Sequence, residues 1–516
     1  MIEKLLQFAI ARRGLVMALM LLISALGIYN FFRLPIDAVP DITNVQVIVN
    51  VPAPGYTPLE AEQRVSVPLE TAMLGIPKLD YTRSLARYGL AQVTVIFEDG
   101  TDIYFARQQV AERMNAAKSQ LPPGLEPSMG PIATGLGEIF MFTVDAVPGA
   151  TNADGSTMTP TDLRSVHDWI IRPQLLRVPG VVEVNPIGGF KKEVLVAPDP
   201  AKMLAYGITY EDVVQALQAN NGNRGAGFIE RNGAQWLMRV PGQAQDMAEL
   251  GDVVIKQTAS VPLRVRDVAS VSLGLELRSG AATQNGREVV MSTVFMLIGA
   301  NSRTVAQAVA DKLDTIKASL PEGVVVTAAY DRTVLVNKTL ATVQKNLLEG
   351  ALLVVVVLLL LLGNVRAALL TAAVIPLAML MTITGMVSNQ VSANLMSLGA
   401  LDFGLIVDGA VIIVENCLRR LSQEALARKT LMPLKERLAL VFDATQEVIR
   451  PALFGVFIIT VVYLPIFSLT GIEGKMFQPM AFTVVVALIS AMVLSLTFVP
   501  AAVALLFRRP VVEKHN

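Results

Sequence analysis

The chain has 516 residues, 53% of them hydrophobic and only 17% charged, with a mean hydropathy of +0.52; this is the composition of an integral membrane protein that also carries a large water-exposed part. Its 43 basic and 43 acidic residues cancel, which excludes the basic excess of a nucleic-acid-binding protein and leaves charge informative only by position. One cysteine, Cys417, and two histidines, His167 and His515, exclude an intramolecular disulfide framework and a thiolate or histidine-rich metal cluster within this chain.

Lys4, Arg12 and Arg13 precede an apolar run over residues 14–32. The run is longer than the apolar core of a secretory signal, and Tyr29, Asn30 and Phe31 make a poor cleavage site, so it reads as an uncleaved first span, residues 1–36, with its N-terminus in the cytoplasm.

From residue 33 to about 338 nothing is apolar enough to cross a bilayer, and strand-like and helix-like runs alternate. Strand 45–51, helix 57–74, strands 81–86 and 90–97 and helix 101–121 follow a βαββα order that suits a ferredoxin-like sandwich. Asp102 stands near the start of the last helix. A second unit opens with strand 138–146 and helix 161–176. It closes with strand 288–296, helix 302–320 and strand 324–329, so a further α/β unit is inserted between them. The spacing hints at duplication, without a clean sequence repeat.

The chain then re-enters the membrane. Apolar runs at 351–362, 367–387, 395–417, 452–469 and 480–507 supply spans two to six within residues 333–509, and residues 510–516 form a cytoplasmic tail. Arg366, the cluster Arg419, Arg420, Arg428, Lys429, Lys435 and Arg437, and the pair Arg508 and Arg509 put the intervening loops inside, whereas the loop between spans three and four has no charge. The basic stretch 422–442 reads as a helix along the cytoplasmic surface.

The fourth span, ALDFGLIVDGAVIIVEN at residues 400–416, is the unusual one. Asp402, Asp408 and Glu415 stand inside it, and a mid-bilayer Asp costs roughly 2.5 to 3.5 kcal/mol whereas each Leu, Ile or Val returns about 0.3 to 0.6. A helix carrying three such residues needs partners, and it is expected to be buried. At about 100° per residue, Asp408 and Glu415 share a face and Asp402 lies roughly 120° to 140° around. Gly404 and Gly409 remove bulk and allow helix packing. A carboxyl at low dielectric holds its proton toward neutral pH, which suits a proton relay. The chain has no phosphate-cradling glycine loop, and Asp402-Phe403-Gly404 lies in a membrane helix without a matching catalytic loop, so the protonmotive force is the natural energy source.

Four stretches carry a resemblance: LPIDAVPDITNVQV, APGYTPLEAEQRV, the whole ALDFGLIVDGAVIIVEN helix, and LPIFSLTGIEGKMFQPMAFTVV. Over essentially its full length the chain resembles the resistance-nodulation-division (RND) superfamily, and within it the heavy-metal efflux branch of the cobalt-zinc-cadmium resistance type. The family pattern DFGxxxDGAxxxxEN is matched by Asp402, Asp408 and Glu415, which the resemblance implicates in proton-coupled cation export. The copper and silver branch tends to lack the acid at Asp402, so zinc, cobalt, cadmium or nickel is the implied substrate, with no cofactor. The implied fold is a six-helix membrane domain with a periplasmic α/β region. That region comprises a porter subdomain at 37–130, a second at 131–178 and 268–332, and an inserted docking subdomain at 179–267.

The resemblance further implies a homotrimer in the bacterial inner membrane, not an enzyme but an antiporter, working with a periplasmic adaptor and an outer-membrane channel. It offers Glu138, in GLGEIF, as a metal ligand. The family has two homologous six-span halves and this chain matches the N-terminal one, so a missing C-terminal half is an expected partner. The alternatives are a non-transporting fragment that assembles with full-length pumps, and export of organic compounds.

Overall fold

The computed structural model describes residues 2–37, 40–133, 135–257, 261–276, 280–428 and 432–507. Among the described residues, six helical stretches are long and apolar enough to cross a membrane: Arg13–Phe31, Arg332–Leu360, Val365–Ser388, Leu395–Glu424, Leu434–Ser468 and Gly471–Leu506. The third, fourth and sixth bury 50%, 56% and 61% of their apolar stretch, whereas the second and fifth bury 11% each; the former make the centre of the bundle and the latter its rim. Gly27 lets the first span close on the third, since a Cβ there would stand 2.5 Å from that of Leu380. Lys429, the pair Arg508 and Arg509, and the tail 510–516 lie outside the described residues.

One end of the bundle meets the α/β region. Ile36 bridges Ala393 in the loop between spans three and four, and Arg332, at the start of the second span, donates to the Asp37 carboxylate at 2.9 Å. At the other end the short helix Ile2–Ala11 packs Leu6, Ala9 and Ile10 inward, and Glu3 accepts from Arg450 at 3.1 Å. The basic stretch 422–442 is not a separate surface helix. Its first part prolongs the helix Phe403–Arg428 and its last part belongs to Leu434–Tyr463. The two run as a hairpin in which Leu418, Leu421, Val441 and Ala444 are buried, and burying that shared apolar stripe outweighs laying it on a membrane surface.

The α/β region has three bodies with separate cores. The first contains β1 (Val45–Pro52), β2 (Leu79–Arg87), β3 (Leu90–Phe97) and β4 (Ser128–Met129), in the order β2-β3-β1-β4. Asp102 caps the helix Ile103–Ala117, accepting from the Phe105 amide at 2.8 Å. The second body contains β5 (Glu138–Ala146) and β6 (Val181–Ile187). After an insertion with β7 (Lys192–Pro198), β8 (Arg224–Arg231), β9 (Ala234–Val240), β10 (Val254–Gln257), β11 (Pro262–Arg264) and β12 (Ala269–Leu275), it resumes with β13 (Ala282–Gln284), β14 (Arg287–Met296) and β15 (Val324–Asp331). Its principal order, β6-β14-β5-β15, repeats that of the first body strand for strand.

Strand pairing redraws the expected boundaries. β6 pairs with β14, so it belongs to the second porter body, and β12 pairs with β7, so it belongs to the insertion; the insertion therefore spans about 188–276 in place of 179–267. The duplication that residue identities conceal is visible in the helices too. Pro58–Met73 and Pro160–Leu175 each open on a Thr-Pro capping box, Thr57 with Glu60 and Thr159 with Asp162. Each also contains one π-helical stretch, Glu62–Ser66 and His167–Ile171, ending two residues before a proline, Pro68 or Pro173. A proline neither donates to the carbonyl four residues back nor leaves it room, and the preceding amide reaches five residues back instead: Val67 to Glu62 and Arg172 to His167.

Candidate translocation site in the fourth span

The fourth span is not one helix. A short turn, Leu395–Gly399, ends before Ala400, and the long helix starts at Phe403. Asp402 occupies the break, where its Oδ1 accepts from the Gly404 amide at 2.8 Å, satisfying one of the free donors of a helix start. The 120° to 140° separation expected for Asp402 assumed an unbroken helix and does not carry across the break. Asp402 is exposed, as are Asp408 and Glu415.

Beyond the break the helix is sharply two-sided. Ile406, Val407, Ala410, Ile413, Val414 and Cys417 are buried, at the i, i+3, i+4, i+7 spacing of one face. Asp408, Ile412, Glu415 and Arg419 form the opposite, exposed stripe. The expected full burial is thus corrected: half of the circumference packs inside this chain, and the half bearing the acids is left open. Among the described residues neither Asp408 nor Glu415 has a hydrogen-bond or ion-pair partner.

The glycines divide their roles. A Cβ on Gly409 would stand 3.2 Å from Ser495 Oγ in the sixth span, so this glycine sets the approach of the two helices one residue after Asp408. At Gly404 the nearest atom is the Asp402 carboxylate, at 3.1 Å; what its small size accommodates is the cap. Beside the break is a cavity of about 480 Å³ between the second and fourth spans, lined by Asn346, Leu347, Gly350, Leu398, Asp402 and Phe403.

At the cytoplasmic end lies a cluster that residue patterns did not reveal. Buried Asn416 donates to the Ala444 carbonyl at 2.7 Å and to Glu447 at 3.0 Å, and accepts from Arg419 at 2.7 Å. Arg420 pairs with Glu447 at 3.1 Å. Glu447 lies just ahead of the apolar run of the fifth span, and only the helical hairpin brings it to Asn416. Glu138 opens β5, half-buried, opposite Phe295 of β14. Among the described residues no three His, Cys, Asp or Glu side chains gather as a metal site, around Glu138 or elsewhere.

These features recur in known proteins. The chain is 60% identical over 516 residues to protein HelA of Legionella pneumophila and 58% identical to the cobalt-zinc-cadmium resistance protein CzcA of Cupriavidus metallidurans, each match covering all of this chain. It is 37% identical over 506 residues to the cation efflux system protein CusA of Escherichia coli, covering 97% of this chain. The crystal structure of a heavy metal efflux pump superposes with a TM-score of 0.85 at 33% identity, over 98% of this chain and 48% of that one. The chain spans about half the length of these curated relatives, 49%, 48% and 48%. The family model described as AcrB/AcrD/AcrF matches residues 5–516, and the chain therefore belongs to that RND family of multi-pass inner-membrane proteins.

Proposed function

We propose that this chain is the N-terminal six-span half of a proton-driven exporter of divalent heavy-metal cations, with Asp408 and Glu415 as the proton relay and Asp402 acting with them in cation translocation. The observation that carries this reading is the open acidic stripe of the fourth span. An acid against lipid near the bilayer centre costs roughly 2.5 to 3.5 kcal/mol, so the stripe calls for a second helical face, and carboxylates held between two such faces are suited to taking and releasing protons. Relatives named for cobalt, zinc, cadmium and nickel support divalent cations as the substrate class, and carboxylates suit such ions better than soft copper.

The partners in this reading are a matching C-terminal half, two further copies in a homotrimer, a periplasmic adaptor and an outer-membrane channel. The β8–β9 hairpin supports self-association: every residue in both strands is exposed, including Phe228, Ile229, Trp236 and Leu237, and a two-stranded ribbon that holds large apolar side chains in water is suited to docking. Asp408→Asn in a complete pump keeps the shape of the side chain and removes its titration. Zinc efflux from membrane vesicles should fall by about 100-fold or more, about 100-fold being the lower end of what loss of a proton-transfer group does, at unchanged protein abundance. Full metal resistance in cells carrying the Asn variant would overturn the relay.

A further inference from the structure

Lys475 stands in the first turns of the sixth-span helix Gly471–Leu496. Its ammonium has three N–H groups and three acceptors: the Asp99 carboxylate at 2.6 Å, the Thr43 carbonyl at 3.0 Å and the Asn44 side-chain oxygen at 3.0 Å. A lysine at the edge of a membrane ordinarily extends its charge into water; this side chain is only 20% exposed and its donors are all taken. The three acceptors occupy one place in the fold. Thr43 and Asn44 lead directly into β1, and Asp99 follows β3, the two central strands of the first porter sheet, whose paired ends are Val45 and Phe97. One ammonium therefore grips the membrane-facing end of that sheet at both central strands.

The helix behind Lys475 is built to pass on a movement. Pro479 lies four residues further along; it has no N–H for the Lys475 carbonyl, so the helix is weakened immediately below the clamp. A cavity of about 350 Å³ adjoins it, lined by Asp41, Gln390, Gly474, Lys475, Gln478 and Phe482, giving the turn room to shift. About 30 Å along the same helix, at 1.5 Å per residue, Ser495 packs against Gly409, next to Asp408.

We infer that Lys475 is a positioning residue that couples the first porter subdomain to the sixth span and, through the Ser495–Gly409 contact, to the acidic stripe of the fourth. The inference rests on the transport reading above for its consequence and on the clamp geometry alone for its existence. The test therefore measures coupling between the clamp and transport.

Lys475→Met, Asp99→Asn and the double variant are made in a complete pump and reconstituted in liposomes, and zinc efflux and proton flux are followed separately. Lys475→Met should lower the maximal zinc flux by about tenfold or more with KM unchanged and trimer abundance unchanged. The double variant should be no worse than Lys475→Met, because both single changes open the same clamp. Unimpaired zinc flux in Lys475→Met, a parallel loss of abundance and flux, or multiplying effects in the double variant would each overturn the inference. If the unaltered pump moves no zinc under a proton gradient, the transport reading fails, and the clamp is judged by hydrogen exchange. Asp99→Asn should then speed exchange around residues 471–483 at least threefold when Lys475 is present and add nothing when Met replaces it; an equal response in both backgrounds would overturn the clamp.

Discussion

The two porter subdomains share a strand order, a Thr-Pro capped helix and a π-helical stretch before a proline, yet they fill the matching space differently. In the first, the π-stretch turns Val65 and Ser66 inward, and the Ser66 hydroxyl is buried without a hydrogen-bond partner among the described residues. In the second, it turns His167 and Ile171 inward. His167 is fully buried between Asp168 Oδ1 at 2.8 Å and Ser292 Oγ of β14 at 2.8 Å, and Arg164 holds Asp168 at 2.9 Å. Backbone geometry is thus common to both, while polar content is a property of each. A duplicated scaffold tolerates a lone small hydroxyl, but a larger polar side chain requires every one of its atoms to find a partner.

The largest difference to probe is packing. Phe142 of β5 and Val49 of β1 stand at matching inward positions of the two sheets, both fully buried. Phe142→Ala should cost about 3 to 5 kcal/mol in the second subdomain, and Val49→Ala about 2 kcal/mol in the first, from some two methylene equivalents plus a small cavity. Because the molecule has several cores, a single melting point is ill-defined, and the readout is amide exchange within each subdomain. Equal losses would mean that the two cores rely on packing to the same extent.

The next difference is pH. Burial, the larger influence, pushes the His167 imidazole below its ordinary 6.5, with Asp168 partly offsetting it and Arg164 and Arg172 adding to it. Burial acts upward on the Asp168 carboxyl, but the hydrogen bonds from His167 and Arg164 outweigh it and hold that group below its usual range. The neutral ring donates through Nδ1–H to Asp168 and accepts at Nε2 from the Ser292 hydroxyl. The unfolded chain takes up a proton near pH 6.5 and the folded one does so only at lower pH. The stability of the neutral ring is therefore complete above about 6.5 and is lost as pH falls below it. β14 amides, corrected for intrinsic exchange, should lose protection between pH 7.5 and 5.5 while β3 amides do not. His167→Leu should cost about 1 to 3 kcal/mol through the stranded Ser292 and Asp168 and abolish the pH slope. A flat wild-type profile would contradict a buried neutral ring.

Sequence patterns revealed the parts of this fold that are local. Six apolar runs gave six spans, and both porter helix pairs and the acidic stripe lie where period and charge put them. What stayed hidden depends on pairing between distant residues. β6 reads as part of the insertion until its partner β14, more than 100 residues later, is seen. Lys475 lies in the stretch LPIFSLTGIEGKMFQPMAFTVV, where no local pattern points to Thr43, 432 residues away, as its acceptor. The break at Asp402 was obscured for a different reason. The apolar run is continuous in composition, and a cap inside it is marked only by an Asp two residues ahead of a Gly, a pattern that also fits an unbroken helix.

The smallest effect is the most discriminating, because one chemical change should have opposite signs in the two subdomains. Ser66 and Ser292 are both fully buried. Ser66→Ala removes a hydroxyl that has surrendered its water and gained no partner, so it should leave the first subdomain unchanged or stabilise it by up to about 1 kcal/mol; removing an unsatisfied buried group relieves its desolvation penalty. Ser292→Ala removes a hydroxyl that serves His167 Nε2 and leaves a ring nitrogen unpaired in a dry core, so it should cost about 1 to 3 kcal/mol. Exchange rates of β1 and β14 amides in the two variants give the comparison directly. A loss at both sites would mean that Ser66 finds a partner in the complete protein that it lacks among the described residues, and would place the first π-helical stretch, like the acidic stripe, on a face that another part of the assembly completes.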